Sequence, residues 1–152
     1  MRHHLTFVLM LTLAFTAFST RTAMANDGHE DKARAPDIFV FVTAEDNQTR
    51  GMAMVLARQM LDQGANLRVL LCGPGGELAI RGLEEKLLAP RGITPQQLLR
   101  GLMGDGVQVD VCAIFLPNTQ YENDDLLEGI GVAMPPEVAE FMLREGVRYF
   151  TF

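Results

Sequence analysis

The chain has 152 residues, 48% of them hydrophobic, with a formal net charge of -6. Its length suits a single domain with one core. The acidic balance argues against a surface that binds nucleic acid or anionic lipid through charge.

The first segment reads as a secretory signal peptide. Arg2, His3 and His4 form a basic start, and residues 5–18 are an apolar run broken only by Thr6, Thr12 and Thr16. A membrane span needs about 20 apolar residues, more than this run supplies. Ala23-Met24-Ala25 is a small-residue cleavage motif. Residues 1–25 are therefore expected to be removed after Ala25, delivering the product to the periplasm. Loss of Arg2 and Arg21 leaves 11 basic residues against 19 acidic ones, a formal charge of -8. No second long apolar stretch follows, so no membrane association is expected after cleavage. Residues 26–36 are charged and lack apolar periodicity, and read as a flexible leader. Residues 37–152 are the expected folded domain.

Asp37-Ile38-Phe39-Val40-Phe41-Val42-Thr43 is the first expected strand, and its unbroken apolar run implies cover on both faces. A helix is expected over residues 49–63, capped by Asp46 or Asn47. Ala53, Leu56, Ala57, Met60 and Leu61 form its inner stripe, with Arg50, Arg58, Gln59, Asp62 and Gln63 outside. Met52, Met54 and Val55 widen the apolar surface beyond one stripe, which suggests a second surface such as another subunit. Gly64 ends the helix.

Leu67-Arg68-Val69-Leu70-Leu71-Cys72 is the second strand and Gly73-Pro74-Gly75-Gly76 a turn. Residues 77–89 have helical spacing at Leu78, Leu83, Leu87 and Leu88, with Gly82 as an interruption. Thr94-Pro95-Gln96-Gln97 is a helix start, with a Thr cap, Pro at the first position and Gln three residues after the cap. Gly106-Val107-Gln108-Val109-Asp110-Val111-Cys112 is the third, central strand. A helical turn is expected at residues 124–128, a short strand or extended segment at 129–134, a helix at 135–144 and a last strand at 147–152. Strands alternating with helices imply a mostly parallel sheet covered on both sides.

The loop after the first strand lacks glycine and carries Glu45 and Asp46, which would repel a phosphate. The Gly73–Gly76 turn has neither the spacing of a dinucleotide loop nor a Lys-Ser/Thr pair. No cofactor is expected. The methionines outside the signal fall on apolar stretches and read as core filling. Asn47-Gln48-Thr49 matches a short glycosylation sequon. His29, in the leader, is the one histidine left after cleavage, so neither a Ser/His/Asp triad nor a usual metal site is supplied.

The thiols remain as chemical candidates. Cys112 has two readings. It is a small buried hydrophobe, or it is a nucleophile at the strand end, where α/β sheets gather their chemistry. No Lys or Arg follows it until Arg144, so no cation close in sequence activates it. Cys72 holds the equivalent place on the second strand. If those two strands flank the first, the thiols stand about 10 Å apart, too far for a disulfide.

The order and spacing of Ile38-Phe39-Val40-Phe41-Val42, Met54-Val55-Leu56-Ala57, Gln63-Gly64-Ala65-Asn66-Leu67-Arg68-Val69, Gln97-Leu98-Leu99, the Cys112 strand, Asp125-Leu126-Leu127-Glu128-Gly129-Ile130 and Arg148-Tyr149-Phe150-Thr151-Phe152 resemble the DsrE/DsrF-like (YchN-like) family. The resemblance implies a flavodoxin-like three-layer α/β sandwich with a mostly parallel five-stranded sheet. It also implies assembly into homotrimers or homohexamers, and a cysteine at the end of the third strand, Cys112 here, that carries sulfur as a persulfide. The leading expectation is a periplasmic sulfur-handling protein, a persulfide carrier or sulfurtransferase-like relay protein exchanging sulfur with a donor or acceptor protein. Cys112 would be its acceptor thiol, Asn118 and nearby backbone N–H groups orienting donors, and Cys72 a secondary member of the site. The alternative is a non-enzymatic oligomeric binding module with Cys112 in the core. A third option is a redox sensor using both thiols.

Overall fold

A computed structural model describes residues 35–152. The expected signal peptide, and residues 26–34 of the expected leader with His29, lie outside the described residues. The domain runs β1 (Asp37–Val42), α1 (Asn47–Asp62), β2 (Asn66–Leu71), a 3₁₀ stretch (Gly73–Ala79), α2 (Pro95–Gly104), β3 (Gln108–Cys112), β4 (Gly131–Ala133), α3 (Pro135–Met142) and β5 (Arg148–Thr151). Two short 3₁₀ turns, Leu116–Asn118 and Asn123–Asp125, lie between β3 and β4.

The five strands form one parallel sheet in the order β4-β3-β2-β1-β5. Right-handed crossovers dictate where the helices go. The steps from β1 to β2 and from β2 to β3 move in one direction across the sheet, so α1 and α2 share a face. The return from β4 at one edge to β5 at the other moves in the opposite direction, so α3 takes the other face. The packing agrees. Ala53, Met54 and Ala57 of α1 and Leu99 and Leu102 of α2 join Val40, Val69, Leu71, Val109 and Val111 in one cluster. Phe141 of α3 meets Phe39, Leu70 and Ala133 in a smaller one. The result is the expected three-layer α/β domain.

Local signals hold where a side chain closes the backbone. Asp46 caps α1 by accepting from the Thr49 N–H at 2.8 Å. At α2, Thr94 and Gln97 form a reciprocal capping box, which satisfies two N–H groups with no partner inside the helix.

Two expectations need correction. Residues 77–89 are not an α-helix. The 3₁₀ stretch ends at Ala79, Ile80 bridges Leu126 and Leu88 bridges Ile93 in antiparallel fashion, and Gly82 takes a left-handed φ of 74°. Of the leucines thought to form one stripe, Leu78 is in the core and Leu87 lies exposed. The inner face of α1 is also rotated from the expected one. Met54 and Arg50 are buried, whereas Leu56 is 41% exposed. Apolar residues occupy most of the circumference of this helix, so periodicity alone did not set its phase.

Candidate functional site

The loops that follow β1, β2 and β3 converge over the carboxyl ends of those strands, the usual position for a site in an open α/β sheet. They enclose a cleft of about 550 Å³, with Glu45 from the first loop, Pro74 and Glu77 from the second, and Cys112, Ile114 and Asn118 from the third. Cys112 is thus half-buried at the floor of a solvent-connected cleft.

The backbone beyond Cys112 turns at once. The Phe115 N–H donates to the Cys112 carbonyl at 2.9 Å and the Asn118 N–H to the Phe115 carbonyl at 3.1 Å. This turn sends Ile114 outward, 69% exposed, and Phe115 inward. The apolar run after the cysteine is therefore split between cleft rim and core. The Phe115 ring stacks on Tyr121 at 6.2 Å and covers Gly76, where a Cβ would lie 2.4 Å from the ring. At Gly75 a Cβ would lie 2.1 Å from the Val42 carbonyl oxygen. The glycines of the second loop are thus close-packing devices, which let the wall of the cleft settle against β1 and Phe115. Asn118 does reach the cleft, but its Nδ2 donates to the Ile114 carbonyl at 2.7 Å. That bond holds the third loop in shape.

Arg50, at the back of the cleft, departs from its expected place. It was expected on the outer face of α1; it is 5% exposed behind the cleft wall. Its Nε donates to the Ala44 carbonyl at 2.9 Å, and its Nη2 to the Pro74 carbonyl at 2.5 Å and to Glu77 Oε2 at 3.0 Å. One guanidinium therefore ties the first loop to the second. An arginine in the first turn of a helix, just after a strand-end loop, was the available signal. Burial of its head group depends on carbonyls that only the fold brings together.

The thiols also stand differently from expectation. β2 lies between β1 and β3, so the two cysteine-bearing strands are neighbours and do not flank β1. The register pairs Leu71 with Val111, and one step further Cys72 stands opposite Cys112. By strand alternation both side chains share the parity of Leu70, opposite to Val69, Leu71, Val109 and Val111, and both pack against the α3-side cluster, Cys112 touching the other cluster as well. Adjacent strands are about 4.8 Å apart, half the separation expected from sequence. Burial pushes the Cys72 thiol from an ordinary value of 9.0 up to about 12, and the hydrogen bond and charge interaction with Cys112 push in the same direction. Cys112 thus lies near enough to influence Cys72, whose environment favours the protonated thiol. Both cysteines are free thiols.

On the same sheet face, Arg68 Nε and Nη2 grip Asp110 Oδ2 at 3.2 and 3.0 Å, and Gln108 Nε2 reaches that oxygen at 2.9 Å. The Arg68 guanidinium lies 5.7 Å from the Phe39 ring centre and 5.6 Å from that of Phe141. Arg68 is four residues before Cys72, about 13 Å along the strand, and its charge is engaged by Asp110. Among the described residues, no group of three or more His, Cys, Asp or Glu side chains is arranged to hold a metal ion.

A separate apolar surface lies on the outer side of α1. Met52, Val55 and Leu56 are exposed and, with Leu88, Pro90 and Ile93, line a groove of about 630 Å³. Met54, expected in this surface, is instead fully buried in the core.

No protein-family profile matches the sequence, and no match is found among curated proteins. Solved structures do share the fold. The YchN protein from E. coli superposes with a TM-score of 0.64 at 20% identity, over 78% of this chain and 99% of that one. MTH1491 from Methanobacterium thermoautotrophicum, described as a protein of unknown function, superposes with a TM-score of 0.59 at 21% identity, again over 78% and 99%. The domain therefore has the YchN-like α/β fold.

Proposed function

We propose that this is an exported, periplasmic sulfur-handling protein in which Cys112 accepts sulfane sulfur and carries it as a persulfide. The observation that carries the reading is the position of Cys112, half-buried at the carboxyl end of β3, an interior strand of the sheet, and open to a cleft of about 550 Å³. A purely structural cysteine would be expected inside the core. The YchN-like fold and the resemblance of the chain to DsrE/DsrF-like proteins support the same reading.

In the proposed step the Cys112 thiolate attacks the outer sulfur of a donor persulfide. A sulfur–sulfur bond forms to Cys112, the donor sulfur–sulfur bond breaks, and the donor leaves as a thiolate with the electron pair. No external oxidant is needed. Cys72, which burial keeps protonated, is unsuited to be the first nucleophile. Asn118 acts on this step through the loop it holds with the Ile114 carbonyl. The exposed surface at Met52, Val55 and Leu56 supports self-association into a trimer or hexamer.

The test uses a low-molecular-weight persulfide as donor and intact mass as readout. A Cys72→Ser protein is expected to gain about 32 Da, one sulfur, and the gain is expected to vanish when Cys112 is changed to Ala. A Cys72→Ser protein that gains nothing refutes sulfur acceptance at Cys112. The apolar groove favours a second reading, a binding module in which Cys112 has no chemical role. That reading requires the Cys112→Ala protein to keep every partner interaction of the parent.

A further inference from the structure

The strand order puts a second thiol where it has a chemical use. We infer that Cys72 is the resolving thiol of the site: it attacks the Cys112 persulfide, closes a Cys72–Cys112 disulfide and expels the carried sulfur as hydrogen sulfide. The inference rests on the proposed persulfide at Cys112 and adds the fate of its sulfur.

Three geometric facts carry it. First, β2 and β3 are hydrogen-bonded neighbours, and their register, continued one residue past the Leu71–Val111 pair, brings Cys72 opposite Cys112. The strand spacing of about 4.8 Å falls inside the roughly 4.4–6.8 Å window for Cα atoms joined by a disulfide. Second, both side chains leave the sheet on the same face, beside Leu70 and Ala133. Cys72 has extended backbone, with φ -136° and ψ 156°, so it continues the strand geometry and no turn carries its thiol away. Third, Cys112 opens on the cleft, which gives a released sulfide a way out.

The step balances without a further reagent. A bond forms between the Cys72 and Cys112 sulfurs, and the bond from the Cys112 sulfur to the outer sulfur breaks. The outer sulfur leaves with the electron pair and takes the Cys72 proton, so it departs as hydrogen sulfide. The sulfane sulfur is reduced, and the two cysteine sulfurs are oxidised to the disulfide. The division of labour follows from the environments. Burial holds Cys72 protonated, which leaves the first attack on a donor to Cys112. Cys72 then acts on a sulfur already held beside it, where proximity replaces nucleophilicity.

The experiment compares reduced full-length wild type with Cys72→Ser after the same exposure to a low-molecular-weight persulfide and removal of the excess. Wild type is expected to release roughly one sulfide per chain and to end about 2 Da below its reduced mass, with the Cys72 and Cys112 peptides linked. Cys72→Ser is expected to keep its gain of about 32 Da and release none. A wild type that keeps the added sulfur as long as Cys72→Ser, without sulfide release, overturns the inference and leaves sulfur acceptance standing. A Cys72→Ser protein that never gains sulfur overturns the reading beneath it, and the inference with it.

Discussion

The environment of Cys72 makes a quantitative prediction about alkylation. Its thiol is pushed from 9.0 to about 12, with burial the largest cause and the hydrogen bond and charge of Cys112 next. At about pH 8, a thiol of ordinary acidity is roughly one-tenth thiolate, and one at 12 roughly one part in ten thousand, a thousandfold deficit. The more basic thiolate is intrinsically the better nucleophile. A Brønsted coefficient of about 0.4–0.5 over three pH units returns roughly 20- to 30-fold. Folded Cys72 should then react with iodoacetamide about 30- to 50-fold more slowly than the same residue in urea-unfolded chain. Initial rates under limiting reagent, read by mass spectrometry of the Cys72 peptide, measure this ratio. The pH profile separates acidity from steric shielding. A raised value makes the rate climb tenfold per pH unit beyond 9, whereas shielding alone scales down an ordinary profile that levels off there. A folded rate within about threefold of the unfolded one, or a plateau near 9, refutes the assignment.

The remaining predictions concern the scaffold and the assembly. Gly75→Ala brings a Cβ to 2.1 Å from the Val42 carbonyl oxygen, which also accepts the Cys72 N–H at 3.0 Å. A loss of about 1–3 kcal/mol in urea melts is expected, and no loss would refute the close packing. Arg68→Leu leaves the Asp110 carboxylate buried without its cation and should cost about 3–5 kcal/mol, while Arg68→Leu with Asp110→Leu should recover much of it. A single variant costing less than about 1 kcal/mol would show the pair to be dispensable. Val55→Glu with Leu56→Glu puts charge on the exposed face of α1. If that face joins subunits, the double variant should sediment at a lower mass than wild type; an unchanged mass excludes it from the interface.

The elements of the fold differ in how local their sequence signals are. Each strand from β1 to β5 was visible as a β-branched or apolar run bounded by turns, and α2 by its Thr94–Gln97 box, because these signals are local. The segment after Gly76 misled, since four leucines at helical spacing also suit a 3₁₀ stretch followed by irregular chain. In α1 the surplus of apolar residues hid the phase, so Met54 and Leu56 exchanged places between the expected inner and outer faces.

For the candidate site the division is sharper. That Cys112 ends a strand and that Asn118 lies in the loop beyond it were legible in the sequence, since strand identity and chain direction are local properties; the central place expected for that strand belongs instead to β2. The sequence by itself also determined that Cys72 holds the matching place at the end of β2. That the two thiols are neighbours follows from the assembled sheet alone. Strand order depends on which way each right-handed crossover steps across the sheet, and no residue in β2 or β3 encodes that step alone. The same holds for Arg50, whose guanidinium is buried because two loops far apart in sequence offer it the Ala44 and Pro74 carbonyls. Pairings across a sheet and burial behind a loop are collective outcomes of packing, and they turned a strand with one cysteine into a site with two.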